Sequence, residues 1–231
     1  MSQIEILLIF FVINLFLKLN FDKIKIFRII LDKPDKIRKF HKKPTALAGG
    51  IILIINFILY LIFLNFNNVG VINENIFENL NEINFFIFTC LLIFTLGIID
   101  DKFNLNPFKK FLFLTIILIQ FIYFDKNIIV EILQFSFLKS PINLGNYSFI
   151  FTIFCFLVFM NAFNMFDGIN LQTSIYSLLI LIFFLTLNKN SLLITFLIIY
   201  ISFFIYLNYL NKSFLGDSGT LLISFVISVI F

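Results

Sequence analysis

The chain has one histidine, His41, and no tryptophan. A single imidazole excludes the multi-histidine zinc and di-iron sites, which need several such ligands. Its two cysteines, Cys90 and Cys155, both lie inside apolar runs, where packing explains them better than a disulfide or a metal pair. Charge is scarce as well. Asp, Glu, Lys and Arg make up 13% of the residues, against about 25% in a soluble domain. Hydrophobic residues reach 61% and the mean hydropathy is +1.05. A water-soluble globule cannot hide so much apolar surface, so a soluble enzyme, a secreted disulfide scaffold and a disordered chain are excluded. The 37 phenylalanines fit an AT-rich coding bias and single out no individual ring.

What is abundant is apolar sequence in runs. A helix needs about 20 apolar residues to cross a bilayer. Such runs lie near 4–20, 47–65, 85–99, 108–124, 148–163, 173–187, 191–208 and from 220 onward. They predict an all-α, polytopic transmembrane helical bundle of about eight spans. Neither an internal repeat nor a Gly/Ser linker interrupts it, so residues 1–231 read as a single integral membrane domain. The run Ile4–Leu19 has no positive region before it and no small-residue cleavage site, and reads as a retained span. The last run, from Thr220, holds twelve residues. That is a rise of about 18 Å against a hydrocarbon core of about 30 Å. The last span is therefore expected to be incomplete and the chain to be cut short at its C-terminus. Segment 125–147 is too polar to span. Short β-like runs at 128–130 and 142–146 predict a small hairpin on the outer surface.

Cationic residues orient the bundle. Residues 18–43 hold ten Lys or Arg; with Lys102, Lys109, Lys110 and Lys212 they put 14 on one side, against Lys126, Lys139 and Lys189 on the other. The positive-inside rule makes the 18–43 side cytoplasmic and the N-terminus external. Asp100, Asp101, Asp167 and Asp217 then fall on the cytoplasmic side, at the ends of apolar segments or in the loop before the last one. Acids at a membrane edge are costly and mark function.

Local contexts sharpen the pattern. Asp100 and Asp101 are adjacent carboxylates whose repulsion calls for a nearby cation. Hard oxygen ligands of this kind suit magnesium better than zinc or copper. Asn161, Asn164 and Asp167 recur every three residues and share one face of a helix, followed by Gly168 and Asn170. Amides there can hydrogen-bond a phosphate, ribose or base. Asp217 sits between Gly216 and Gly219, just before an apolar run, where backbone N–H groups favour anions. A basic stretch, Arg38 to Lys43, precedes Pro44-Thr45 and Gly49-Gly50. Its plain reading is an anchor to anionic lipids. A phosphate contact by His41, Lys42 and Lys43 explains more of it.

Together these motifs resemble the polyprenyl-phosphate N-acetylhexosamine-1-phosphate transferases, membrane glycosyltransferase family 4. The resemblance rests on Asp32-Lys33-Pro34, His41 to Thr45 with Gly49-Gly50, Gly97 to Asp101, Asn161 to Gly168, and Gly216 to Gly219, in the family's order. The Asn161-to-Gly168 stretch looks most like the undecaprenyl-phosphate GlcNAc-1-phosphate branch. The chain departs from the family at Ala46, where Pro is common, at Asn170-Leu171-Gln172, and in lacking a later histidine-rich loop.

The resemblance implies that a polyprenyl phosphate attacks the β-phosphorus of a UDP-N-acetylhexosamine at the cytoplasmic face of the plasma (inner) membrane, releasing UMP. It implies Mg2+ on Asp217 with help from Asp167, and catalytic roles for Asp100, Asp101 and Asp167. Substrate contacts fall to His41, Lys42, Lys43, Asn161, Asn164 and Asn170. Expected partners are the UDP-sugar, polyprenyl phosphate and membrane lipids, with no nucleic acid; a homodimer is a candidate assembly. A truncated relative that binds polyprenyl phosphate or partner subunits without catalysis is the second reading. A small transporter or channel, with the acids as an ion path, is the third, and the placement of the acids on one membrane edge argues against it.

Overall fold

The computed structural model describes residues 3–32, 34, 43–67, 77, 80–138, 140–167, 171–187 and 191–231. Among these, eight α-helices account for the fold: α1 (Gln3–Leu19), α2 (Gly49–Asn67), α3 (Leu80–Phe103), α4 (Pro107–Phe124), α5 (Ser148–Phe166), α6 (Gln172–Leu187), α7 (Leu192–Tyr209) and α8 (Gly216–Ile230). Every apolar run of the sequence is a helix. Two boundaries move in ways that matter. α3 runs through Phe103, so Asp100 and Asp101 lie inside its last turns. α8 starts at Gly216, four residues before the expected start, so Asp217 lies in its first turn.

Four stretches are long and apolar enough to cross a membrane: Asn81–Phe103, Pro107–Phe124, Gly145–Phe166 and Leu192–Tyr209. Their outward faces carry large apolar side chains, such as Phe108, Ile116, Ile150 and Phe154. In water this surface would be a large unfavourable patch; in lipid it is the solvated face.

The inside is organised around α8, which packs against α2, α3, α5 and α6 and is buried along most of its length. Two aromatic clusters fill the interior. Phe225 of α8 meets Phe86, Phe121 and Phe156, with ring centroids 5.8, 5.0 and 6.2 Å away. Phe196 of α7 meets Phe10, Phe57 and Tyr60 at 5.3, 5.4 and 4.9 Å. Such offset and edge contacts add to the stabilisation from burial. A polar pair joins α1 to α2 within the apolar core. Asn14 of α1 and Asn56 of α2 each donate to the other's side-chain oxygen, at 2.7 and 3.2 Å, and also bond a carbonyl on their own helix.

At one end of the bundle lies a three-stranded sheet that the sequence patterns do not announce. β1 (Leu31–Asp32) pairs antiparallel with β2 (Thr45–Leu47), which pairs parallel with a strand at Ser213–Phe214. At the other end, the expected hairpin exists with a shifted first strand. Lys126–Ile128 is a 3-10 turn, and the pairing joins β3 (Ile132–Leu133) to β4 (Ile142–Asn143). The strand at Ser213–Phe214 is β5.

Candidate active site

Close packing first fixes where α8 begins. A Cβ on Gly97 of α3 would run into the Cα of Ser218. One on Gly50 of α2 would lie 2.8 Å from the backbone N of Gly219, and one on Gly49 would lie 2.8 Å from Leu215 Cα. The double glycine of α2 and Gly97 are therefore the seats on which the first turn of α8 rests. Gly216 itself has φ +72°, a left-handed backbone that favours glycine. Tyr200 of α7 donates to Gly49 O at 2.8 Å and pins the start of α2 to the same place.

The two adjacent aspartates of α3 then diverge, because successive helical residues point about 100° apart. Asp101 faces α8. Its Oδ1 accepts from the Asp217 N–H at 2.7 Å and its Oδ2 from the Ser218 N–H at 3.1 Å. These are orphan donors of a helix N-terminus, so Asp101 caps α8 from a neighbouring helix. Asp100 faces α4. Its Oδ1 accepts from Leu105 N–H at 2.8 Å, and its Oδ2 lies 2.6 Å from Lys110 Nζ. The same ammonium reaches Asp217 Oδ1 at 3.2 Å. The cation that the paired carboxylates call for is thus Lys110.

In the sequence Lys110 only adds to the cationic count of one side. It is a buried residue in the first turn of α4. The signal that locates it is Asn106-Pro107. Asn106 caps the helix by accepting from Phe108 N–H, and proline occupies N1. A helix that starts there turns Lys110 inward.

Asp167 ends α5, and Asp217 and Asp101 are its charged neighbours. Burial, with those two charges adding to it, pushes its carboxyl up to about 7. Asn164, one turn earlier, lies beside Asp217 and accepts from Thr220 Oγ1 at 3.0 Å. That bond orients the amide so that its NH2 remains a donor. Asn161 lies one turn further in and donates to Leu157 O at 2.9 Å, on its own helix. Lys43 is exposed at the mouth of β2, with its carbonyl accepting from Thr45 Oγ1 at 3.1 Å. His41, Lys42 and Asn170 lie outside the described residues.

The structure therefore brings Asp100, Asp101, Asp167, Asp217, Asn164 and Lys110 to one end of the bundle. The sheet sets Lys43 at that end too, since Ala46 pairs with Ser213 and Leu47 with Phe214, just ahead of Asp217. A second bond, from Ala48 N–H to Ser213 Oγ at 3.2 Å, ties the same segments.

The donor chemistry fits a magnesium ion. Mg2+ is commonly held by one or two carboxylates together with substrate phosphates. Among the described residues no group of three or more His, Cys, Asp and Glu is placed to hold a metal ion, so two carboxylates are the most these residues offer there. Asp217 keeps 33% of its side chain exposed, and Asp167 sits beside it, so hard oxygens remain open to an incoming cation.

These features define a helical membrane protein with an acid-lined polar site at one end of the bundle. The chain belongs to glycosyl transferase family 4, whose description matches residues 83–231. The matched region holds the Gly97, Asn161 and Gly216 motifs, whereas the Asp32-to-Gly50 segment lies ahead of it. No curated protein matches the chain. Family membership supports, in general terms, a transferase that moves a sugar phosphate onto a polyprenyl phosphate.

Proposed function

We propose that the protein transfers an N-acetylhexosamine 1-phosphate from a UDP-sugar to polyprenyl phosphate, with undecaprenyl phosphate the first candidate. The observation that carries this reading is the convergence of Asp167, Asp217 and the Asp100–Lys110 pair beside the capped start of α8. A diphosphate presents several anionic oxygens, and phosphoryl transfer is chiefly positioning and charge neutralisation.

Asp217 and Asp167 would hold Mg2+, which supplies charge neutralisation at the diphosphate when bound. Asp101 keeps the first turn of α8, and so Asp217, in place. Lys43, with Lys42 and His41, offsets the charge of the phosphate groups. Asn164 offers its amide donor to an oxygen of the nucleotide sugar, and Asn161 and Asn170 extend the polar lining. In the reaction, an oxygen of the lipid phosphate forms a bond to the β-phosphorus. The bond from that phosphorus to the bridging oxygen breaks, and UMP leaves with the electron pair. A phosphate monoester has a second pKa of about 6 and is largely a dianion near neutral pH. No strong base is required, and Asp100, already holding Lys110, serves as a positioning residue.

Eight crossings with the N-terminus outside would place this end of the bundle in the cytoplasm, at the plasma membrane, in keeping with the cationic excess on that side. The experiment is UMP release from a panel of UDP-sugars in membranes that produce the protein from its own gene, with and without added undecaprenyl phosphate. Release is expected with a UDP-N-acetylhexosamine and only with the lipid. Release that ignores the lipid would refute the reading.

A further inference from the structure

Lys110 is tied unequally to its two acids. Its Nζ lies 2.6 Å from Asp100, whose side chain is 7% exposed, and 3.2 Å from Asp217, whose side chain is 33% exposed. Attraction grows as distance and screening fall, so the Asp100 bond is the stronger. Asp100 is itself fixed through its second oxygen by the Leu105 N–H. The bond to Asp217 is thus the one that can be given up without releasing the lysine. Asp217, on the other side, is held by its backbone: its N–H is bonded to Asp101 and its helix is seated on glycines. Its carboxylate can change partners while its main chain stays still.

We infer that Lys110 is the resident counter-cation of Asp217, occupying one carboxylate oxygen until a divalent cation takes that place, while Asp100 retains the ammonium. This rests on the reading of Asp217 as a metal ligand. A divalent ion beside Asp217 repels the ammonium, and a small swing of Nζ about its Asp100 contact, away from Asp217, relieves that repulsion. Asp100 then acts through Lys110: it holds the lysine back from the metal position. The two residues should have opposite effects on metal affinity. Removing the lysine removes a competitor. Removing Asp100 alone hands the whole ammonium to Asp217.

The test is Mn2+ binding, followed by electron paramagnetic resonance on the purified chain in detergent. The double variant Asp100→Asn, Lys110→Met replaces the ion pair with neutral groups and avoids a buried unpaired charge. It is expected to bind Mn2+ on the order of tenfold tighter than wild type, the size of effect a neighbouring cation has on a carboxylate's affinity for another cation. Asp100→Asn alone is expected to bind more weakly than wild type. Unchanged or weaker binding by the double variant would overturn the inference, as would tighter binding by Asp100→Asn. If the double variant does not fold, Lys110→Gln reports the same competition and is expected to bind more tightly; unchanged binding there refutes it. A purely structural ion pair would lower the melting temperature without tightening metal binding. Asp217→Asn separates the two levels. If it keeps wild-type Mn2+ affinity, the metal reading itself fails. If it loses Mn2+ while the lysine variants bind as wild type, only the exchange fails.

Discussion

Asp100 and Asp101 share a sequence context but not a task. One holds a buried lysine and the other caps a helix from across an interface. The sequence shows two adjacent carboxylates in need of a cation; it does not say which of them gets it, because that depends on which helix each faces. Lys110 escaped for a related reason. Between two apolar runs a lysine looks like a loop charge, and only the Asn106-Pro107 helix start turns it inward. Asp167 carries a consequence in pH. With its carboxyl lifted to about 7, from an ordinary 3.8, it holds its proton better in the folded than in the unfolded chain. Its contribution to stability is therefore full below its ordinary value and is lost as pH rises through about 7. Metal binding needs the ionised form, so magnesium affinity should move the other way and strengthen over the same range. Thermal unfolding with and without magnesium, between about pH 6 and 8, checks this. The stabilisation by magnesium is expected to grow with pH in the wild type and to flatten in Asp167→Asn. A pH-independent effect in the wild type would remove Asp167 from the metal site.

The eight helices were legible because each is a long apolar run bounded by polar residues, and their ends were not. The start of α8 is the clearest case. Gly216, Asp217 and Ser218 look like a turn, yet Asp101 satisfies two of the N–H groups that begin the helix, from 116 and 117 residues away in sequence. The β1-β2-β5 sheet was invisible because strands of two or three residues carry no alternation to detect. The glycines give a test of how α8 is seated. Gly97→Ala would push a methyl group into the backbone of Ser218, which cannot swing aside as a side chain would. Overpacking of this kind costs about 1–3 kcal/mol. A lowered melting temperature is expected, together with reduced UMP release, because Asp217 rides on the same turn. A fully stable and active Gly97→Ala protein would show that α8 is not fixed by this contact.

At the scale of the whole molecule, cationic residues among those described, such as Lys43, Lys102, Lys110 and Lys212, collect at the end that holds the acids. Lys110 leaves the tally of loop charges, and the excess on that side remains large. Lys18 extends the same theme: its ammonium lies 3.6 Å from the ring centre of Tyr206 and joins α1 to α7. Lys212 and Arg28 meet at Asp22, 2.6 and 2.7 Å away, and tie the segment after α1 to the approach to α8. Sidedness can be read directly. In a Cys155→Ser background, a cysteine at Lys43 is expected to react with an impermeant thiol reagent only from the cytoplasmic side, and one at the exposed Tyr147 only from outside. The reverse pattern would invert the proposed orientation. The chemistry itself turns on one bond. A UDP-N-acetylhexosamine labelled at its β-phosphorus separates sugar-phosphate transfer from simple sugar transfer. In membranes producing the protein from its own gene, the label is expected to move into the lipid fraction as a polyprenyl diphosphate-sugar and to remain in the nucleotide with Asp217→Asn. Sugar appearing on lipid while the labelled phosphorus stays with the nucleotide would contradict it.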